Sequence, residues 1–92
     1  MKLEKIISNL DYKLEAGDLT KEITDIKYDS REIENNNLFI AVSGFKTDGH
    51  KYISEAVKKG ASAVLIEKDL SEYADGVTYI KVDNCRKRMA EV

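Results

Sequence analysis

Asp29-Ser30-Arg31 and the stretch from Ser43 to Lys51 hold the side chains that could do chemistry. The triplet places a carboxylate, a hydroxyl and a guanidinium at consecutive positions. The second stretch, Ser43-Gly44-Phe45-Lys46-Thr47-Asp48-Gly49-His50-Lys51, lies between an apolar run and a helix-like run. A strand, a glycine-flanked loop and a helix N-terminus together suit an anion, because the first turn of a helix presents unpaired backbone N–H groups. Gly44 and Gly49 also have the spacing of an ATP-binding P-loop. That motif needs Lys directly after the second Gly, then Ser or Thr for magnesium. Here His50 and Lys51 follow. The hydroxyl is missing and the lysine is one place late, so ATP hydrolysis at this loop is excluded. A weaker anion-cradling role is left.

The elements that must position these residues follow from periodicity. Leu3, Ile6, Ile7 and Leu10 recur at helical spacing and predict a short amphipathic helix over Lys2–Asn9. Tyr12 to Leu19 is polar with a lone Gly17 and reads as loop. Ile26 and Tyr28 alternate with polar neighbours, which predicts a strand with one wet face. Asn35-Asn36-Asn37 reads as a turn, since Asn tolerates the left-handed conformation. Leu38 to Val42 is continuously apolar, as a strand covered on both faces would be. Ile53, Ala56 and Val57 line one face of a helix over about His50–Lys59, which Gly60 stops. Asp48 is the expected N-cap of that helix. Ala63-Val64-Leu65-Ile66 is a second buried strand. Strand, ten-residue helix and strand make a βαβ unit, whose strands run parallel. Val77 to Val82 supplies one more strand. Asp83 or Asn84 would cap a last helix containing Arg86 to Val92. The expected fold is therefore α/β, a single small domain with a mostly parallel sheet and flanking helices.

Composition narrows the function. The 92 residues suffice for one domain, with about 60–65% of the unfolded surface buried. Hydrophobic residues make up 42% and charged residues 35%, and the charges nearly cancel at −2. A basic footprint for nucleic acid is missing. One cysteine, Cys85, and one histidine, His50, exclude an internal disulfide and argue against a structural zinc site. The N-terminal run lacks the unbroken apolar stretch of a signal peptide, and no run has the length of a membrane span. The expected location is the cytoplasm. The final helix stops at Val92 without a capping residue, as expected of a piece of a longer chain.

Taken together, Asp29-Ser30-Arg31, Leu38-Phe39-Ile40-Ala41-Val42, Gly44, Asp48-Gly49-His50, Ile53, Ala56 and Gly60-Ala61-Ser62-Ala63-Val64 resemble the N-terminal domain of the Mur ligases. These are ATP-dependent amino-acid ligases of peptidoglycan synthesis. The resemblance covers roughly residues 20 to 92, and it is specific because several matches fall in the right order. It is strongest to the branch that adds the third amino acid. Val82-Asp83-Asn84-Cys85-Arg86-Lys87 looks like that branch's lead into a central domain. The branch that adds a dipeptide shares the earlier motifs and stands as an alternative, as does a stand-alone nucleotide-sugar binder. One departure is the turn before the apolar strand. The family usually has Pro-Gly-Asp there, and this chain has Asn35-Asn36-Asn37.

The resemblance implies that residues 1–83 bind the UDP part of UDP-N-acetylmuramoyl-dipeptide. Residues 84–92 would start the lead into an ATP-binding central domain. Ser30 and Tyr28 map to substrate contacts, with Ser30 a hydroxyl donor to uracil or diphosphate. Phe45, Lys46 and Thr47 map to residues flanking the uridine, where Phe45 could stack and Lys46 could meet a phosphate. No catalytic or metal-binding residue is implied here, and no cofactor; ATP and magnesium belong to the rest of a full ligase. The partners implied are the UDP-linked precursor and the other domains of the same chain. Other residues have structural readings. Arg31 should pair with Asp29, His50 should serve the helix start, and Cys85 should be a small buried residue. Arg86 to Arg88 should form a solvated helix face.

Overall fold

Leu38-Phe39-Ile40-Ala41 is apolar at every position, and the chain buries it from both sides. The computed structural model describes residues 1–8, 10–41, 52–67, 69–70 and 73–83. Helix α1 (Leu3–Ile6) comes first, then strands β1 (Lys13–Ala16) and β2 (Asp25–Lys27). A 3-10 turn (Ser30–Glu32) precedes β3 (Asn37–Ile40), helix α2 (Ile53–Lys58), β4 (Ala63–Ile66) and β5 (Thr78–Lys81). The five strands form one sheet in the order β1-β5-β4-β3-β2. β2, β3, β4 and β5 are parallel, and only β1 runs antiparallel, against β5. The expected α/β fold and mostly parallel sheet are the observed ones.

Alternation divides the central strands between two cores. Leu38, Ile40, Ala63, Leu65, Ile80 and Val82 face α1, where they meet Leu3, Ile7 and Leu10. Phe39, Ala41, Val64, Ile66 and Tyr79 face the opposite side, where they meet Ile33, Ile53 and Ala56. The connection before β5 closes that second core: Tyr73 meets Tyr79 edge-on at 4.9 Å, and Tyr79 Oη accepts from the Ala74 N–H at 3.2 Å.

Three elements differ from their sequence reading. Lys13-Leu14-Glu15-Ala16, read as loop, is the edge strand β1. Its residues carry no β-branched side chain; pairing with β5 overrides that weak propensity. The pairing slips between Leu14 and Ala16. β2 stops at Lys27, so Tyr28 leaves the alternation and is 69% exposed. Asn37 is no turn residue but the first residue of β3, and it is 1% exposed. Its Oδ1 accepts from the Glu34 N–H at 2.8 Å, and its Nδ2 donates to Thr24 Oγ1 at 3.1 Å. That satisfies a buried amide, which would otherwise be costly.

The other turn readings hold. Asn36 takes φ 66°, the left-handed conformation expected of it. Its N–H donates to the Gly60 carbonyl at 3.0 Å, which ties the turn to the end of α2. Gly60 stops α2 at φ 116°, and a Cβ there would collide with Asn35. The N-cap of α2 is Tyr52 and makes no side-chain cap bond. Asp48, the expected cap, lies outside the described residues, as do Val42, His50, Cys85 and Arg86 to Arg88.

Candidate functional site

Because β2 to β5 are parallel, their carboxyl ends share one edge of the sheet. Ligands of open α/β sheets bind outside that edge. Tyr28 and the Asp29-Ser30-Arg31 turn leave β2 there, and Ala41 follows β3 at the same edge, ahead of residues 42–51 in the sequence. Phe45, Lys46 and Thr47 belong to that segment and lie outside the described residues. Tyr28 and Ser30 are described and sit two residues apart with opposite exposure. Tyr28 offers an open ring, and Ser30 is 5% exposed.

The triplet is folded by its own side chains. Asp29 N-caps the 3-10 turn, its Oδ1 accepting from the Arg31 N–H at 2.9 Å. Arg31 then returns a bidentate pair, Nε to Oδ1 at 3.1 Å and Nη2 to Oδ2 at 2.8 Å. The fork matches the carboxylate, as guanidinium does. Arg31 is thus the structural partner of Asp29 that its position suggested. The side-chain bonds from Arg31 hold the Asp29 carboxyl down at about 2, with the Arg31 backbone N–H adding to the effect. The Arg31 pKa is raised by the same bond.

Glu55 of α2 and Lys59, the residue that caps its end, complete the cluster. Ser30 Oγ donates to Glu55 Oε1 at 3.4 Å. Lys59 Nζ lies 3.7 Å from Glu55 Oε1 and donates to the Arg31 carbonyl at 3.1 Å. Glu55 and Lys59 are one helical turn apart, so both face the 3-10 turn. The hydroxyl proton expected for a ligand is therefore directed at Glu55. In the sequence Lys59 suits the negative end of the helix, and the one signal that joins it to Glu55 is an i,i+4 acid–base pair, which usually marks a solvated helix face. The cluster holds two acids, Asp29 and Glu55, and two bases, Arg31 and Lys59, and their charges cancel. It can hold and orient the Ser30 hydroxyl.

An open groove of about 390 Å³ lies farther along the same edge, lined by Tyr12, Lys13, Glu67, Lys81 and Asp83 among others. Lys81 there pairs with Asp69 at 3.0 Å, and that bond raises its pKa. Among the described residues no group of three His, Cys, Asp or Glu side chains is placed to hold a metal ion. Among them, too, no helix is long and apolar enough to cross a membrane.

The sequence pattern described as "Mur ligase family, catalytic domain" matches residues 22–92. The UDP-N-acetylmuramoyl-L-alanyl-D-glutamate–2,6-diaminopimelate ligase of Clostridioides difficile (strain 630) is 47% identical over 92 residues, which is 100% of this chain and 19% of that protein. The ligase of the same name from Bacteroides fragilis is 46% identical over 82 residues, 89% of this chain and 17% of that protein. This chain thus spans about a fifth of the length of such relatives. Among solved structures, MurF from Acinetobacter baumannii superposes with a TM-score of 0.84 at 18% identity, over 98% of this chain and 19% of that one, a likeness of fold alone. MurF ligase from Thermotoga maritima in complex with ADP reaches a TM-score of 0.63 at 28% identity, over 83% of this chain and 17% of that one.

Proposed function

Because the chain belongs to the Mur ligase family, we propose that it holds the UDP end of UDP-N-acetylmuramoyl-dipeptide within a ligase that adds the third amino acid of the peptidoglycan stem. The observation that carries this reading is the 47% identity to a diaminopimelate-adding ligase across the whole chain. The dipeptide-adding branch has the same fold, and solved structures do not separate the two: the MurF structures are 18–28% identical and a diaminopimelate-adding ligase 22%. The identity to curated diaminopimelate-adding ligases favours the third-residue branch. A stand-alone nucleotide-sugar binder is the remaining alternative. Sequence after Val92 that contains Gly-x-x-x-x-Gly-Lys-Thr or Ser would refute it.

In this reading residues 1–83 form the binding domain and residues 84–92 begin the lead to the next one. Ser30, Tyr28, Phe45, Lys46 and Thr47 contact the UDP moiety, and no residue here is catalytic. ATP with magnesium supplies the activating phosphoryl group for amide formation, and its site belongs to other domains. The donor set in this chain does not fit it, since His50 and Lys51 stand where a P-loop needs Lys and then Ser or Thr. The role of this domain is anchorage. Gripping a large, non-reacting part of the substrate positions the reacting carboxylate elsewhere and favours the transition state. The proposed setting is the cytoplasm, consistent with a single cysteine.

The test is an amide chemical-shift titration with UDP. Shifts should cluster at Tyr28, Ser30 and residues 45–47. Ser30→Ala should weaken binding by about threefold to thirtyfold, the loss of one hydroxyl contact. No binding of UDP, or shifts clustered away from both segments, would overturn the reading; equal affinities for wild type and variant would remove Ser30 from the site.

A further inference from the structure

We propose that Glu55 sets the polarity of Ser30, so that Ser30 Oγ recognises a hydrogen-bond donor of the nucleoside, an imide N–H or a ribose hydroxyl, and not the diphosphate. The inference rests on the reading of a UDP-binding domain and deepens it. A serine hydroxyl has one proton to give and two lone pairs to accept with. The Ser30 proton points at Glu55 Oε1, 3.4 Å away. The bond is long, but an ionised carboxylate only accepts, so this pair has one possible direction. Ser30 is 5% exposed, which leaves water little room to take over as the partner. Two lone pairs are what Ser30 can offer a ligand.

Charge points the same way. A diphosphate placed at Ser30 would stand beside the Glu55 carboxylate and be repelled by it. Among the described residues the two cations nearby are engaged: Arg31 in its fork on Asp29, and Lys59 between Glu55 and the Arg31 carbonyl. A neutral donor group meets no such penalty. Lys59 stands beside both the Glu55 carboxylate and the 3-10 turn, and the Ser30 bond forms where α2 docks on that turn. Glu55 is thus a positioning residue that acts through Ser30.

The experiment titrates wild type, Ser30→Ala, Glu55→Gln and Glu55→Leu with uridine, UDP and pyrophosphate, following amide shifts. Ser30→Ala should weaken uridine and UDP by the same factor, about threefold to thirtyfold, and leave pyrophosphate unchanged. Glu55→Gln keeps an acceptor oxygen and should bind both nucleosides within about twofold of wild type. Glu55→Leu frees the Ser30 proton to oppose the ligand's own donor, and should weaken uridine and UDP together. Adding Ser30→Ala to Glu55→Leu should cost little more, because the two act through one hydroxyl. A Ser30→Ala variant that loses UDP affinity but keeps uridine affinity would place Ser30 on the diphosphate. That result overturns the inference and leaves UDP binding standing. Uridine failing to bind where UDP binds would also overturn it. UDP failing to bind wild type would refute the domain reading itself. The Ser30→Ala comparison decides the question even if Glu55→Leu does not fold.

Discussion

Gly17→Ala should be among the most damaging single-methyl changes in this chain, and Gly76→Ala is its control. Gly17 follows β1 with φ 82°, a conformation that Ala adopts only under strain. That strain costs about 1–2 kcal/mol. A Cβ on Gly17 would also stand 2.5 Å from Thr78 Oγ1, 2.6 Å from Thr78 Cα and 2.9 Å from the Val77 carbonyl oxygen. Two of those neighbours are backbone atoms of the β5 region and cannot swing aside. Thr78 is fully buried, and its hydroxyl donates to the Asp18 carbonyl at 2.6 Å while accepting from the Asp18 N–H at 3.1 Å. Relieving the overlap means breaking that pair or moving the strand, at about 1–3 kcal/mol more. Gly76 has φ 79° and nothing within 4 Å of its would-be Cβ, so Gly76→Ala carries the conformational strain alone. Urea denaturation measures both. With a slope of about 1–1.5 kcal/mol/M for a chain this size, the Gly17→Ala midpoint should fall about 0.7–3 M below that of Gly76→Ala. Equal midpoints would show that β5 gives way freely and that the β1 edge contributes no rigid contact.

Two further outcomes are expected. Asp29 has a folded pKa of about 2, depressed below its unfolded value, so its contribution to stability is full above about pH 4 and is lost as the pH falls through about 2. Carboxyl titration by NMR should show that low midpoint, and Arg31→Ala should return it toward the ordinary carboxylate range; an unmoved midpoint would sink the assignment of the pair. Asn37→Ala should cost about 1–3 kcal/mol in a denaturation series, since it removes two part-buried hydrogen bonds, to the Glu34 N–H and to Thr24, made by one buried side chain; a loss below about 0.5 kcal/mol, the scale of an ordinary surface change, would refute that role.

The sequence by itself determined whatever depends on near neighbours. Ala63–Ile66 is a strand with the bounds its apolar run suggests, and Ile53 and Ala56 form the buried face of α2. Asn36 takes the left-handed turn that its side chain tolerates, and Arg31 folds back on Asp29 two residues away. The order of family motifs was legible for the same reason, since each match is a short local pattern. Only the tertiary structure decided the rest. Lys13–Ala16 is a strand because Lys81 and Ile80 lie beside it, not because its residues prefer to be extended. Asn37 is buried because β2 and β4 flank β3, and Tyr28 is exposed because β2 ends one residue early. The partner of Ser30 is Glu55, 25 residues away, reached only when α2 docks on the 3-10 turn. Propensity and spacing act over a few residues, whereas strand pairing and helix docking join groups whose separation in sequence carries no local signal.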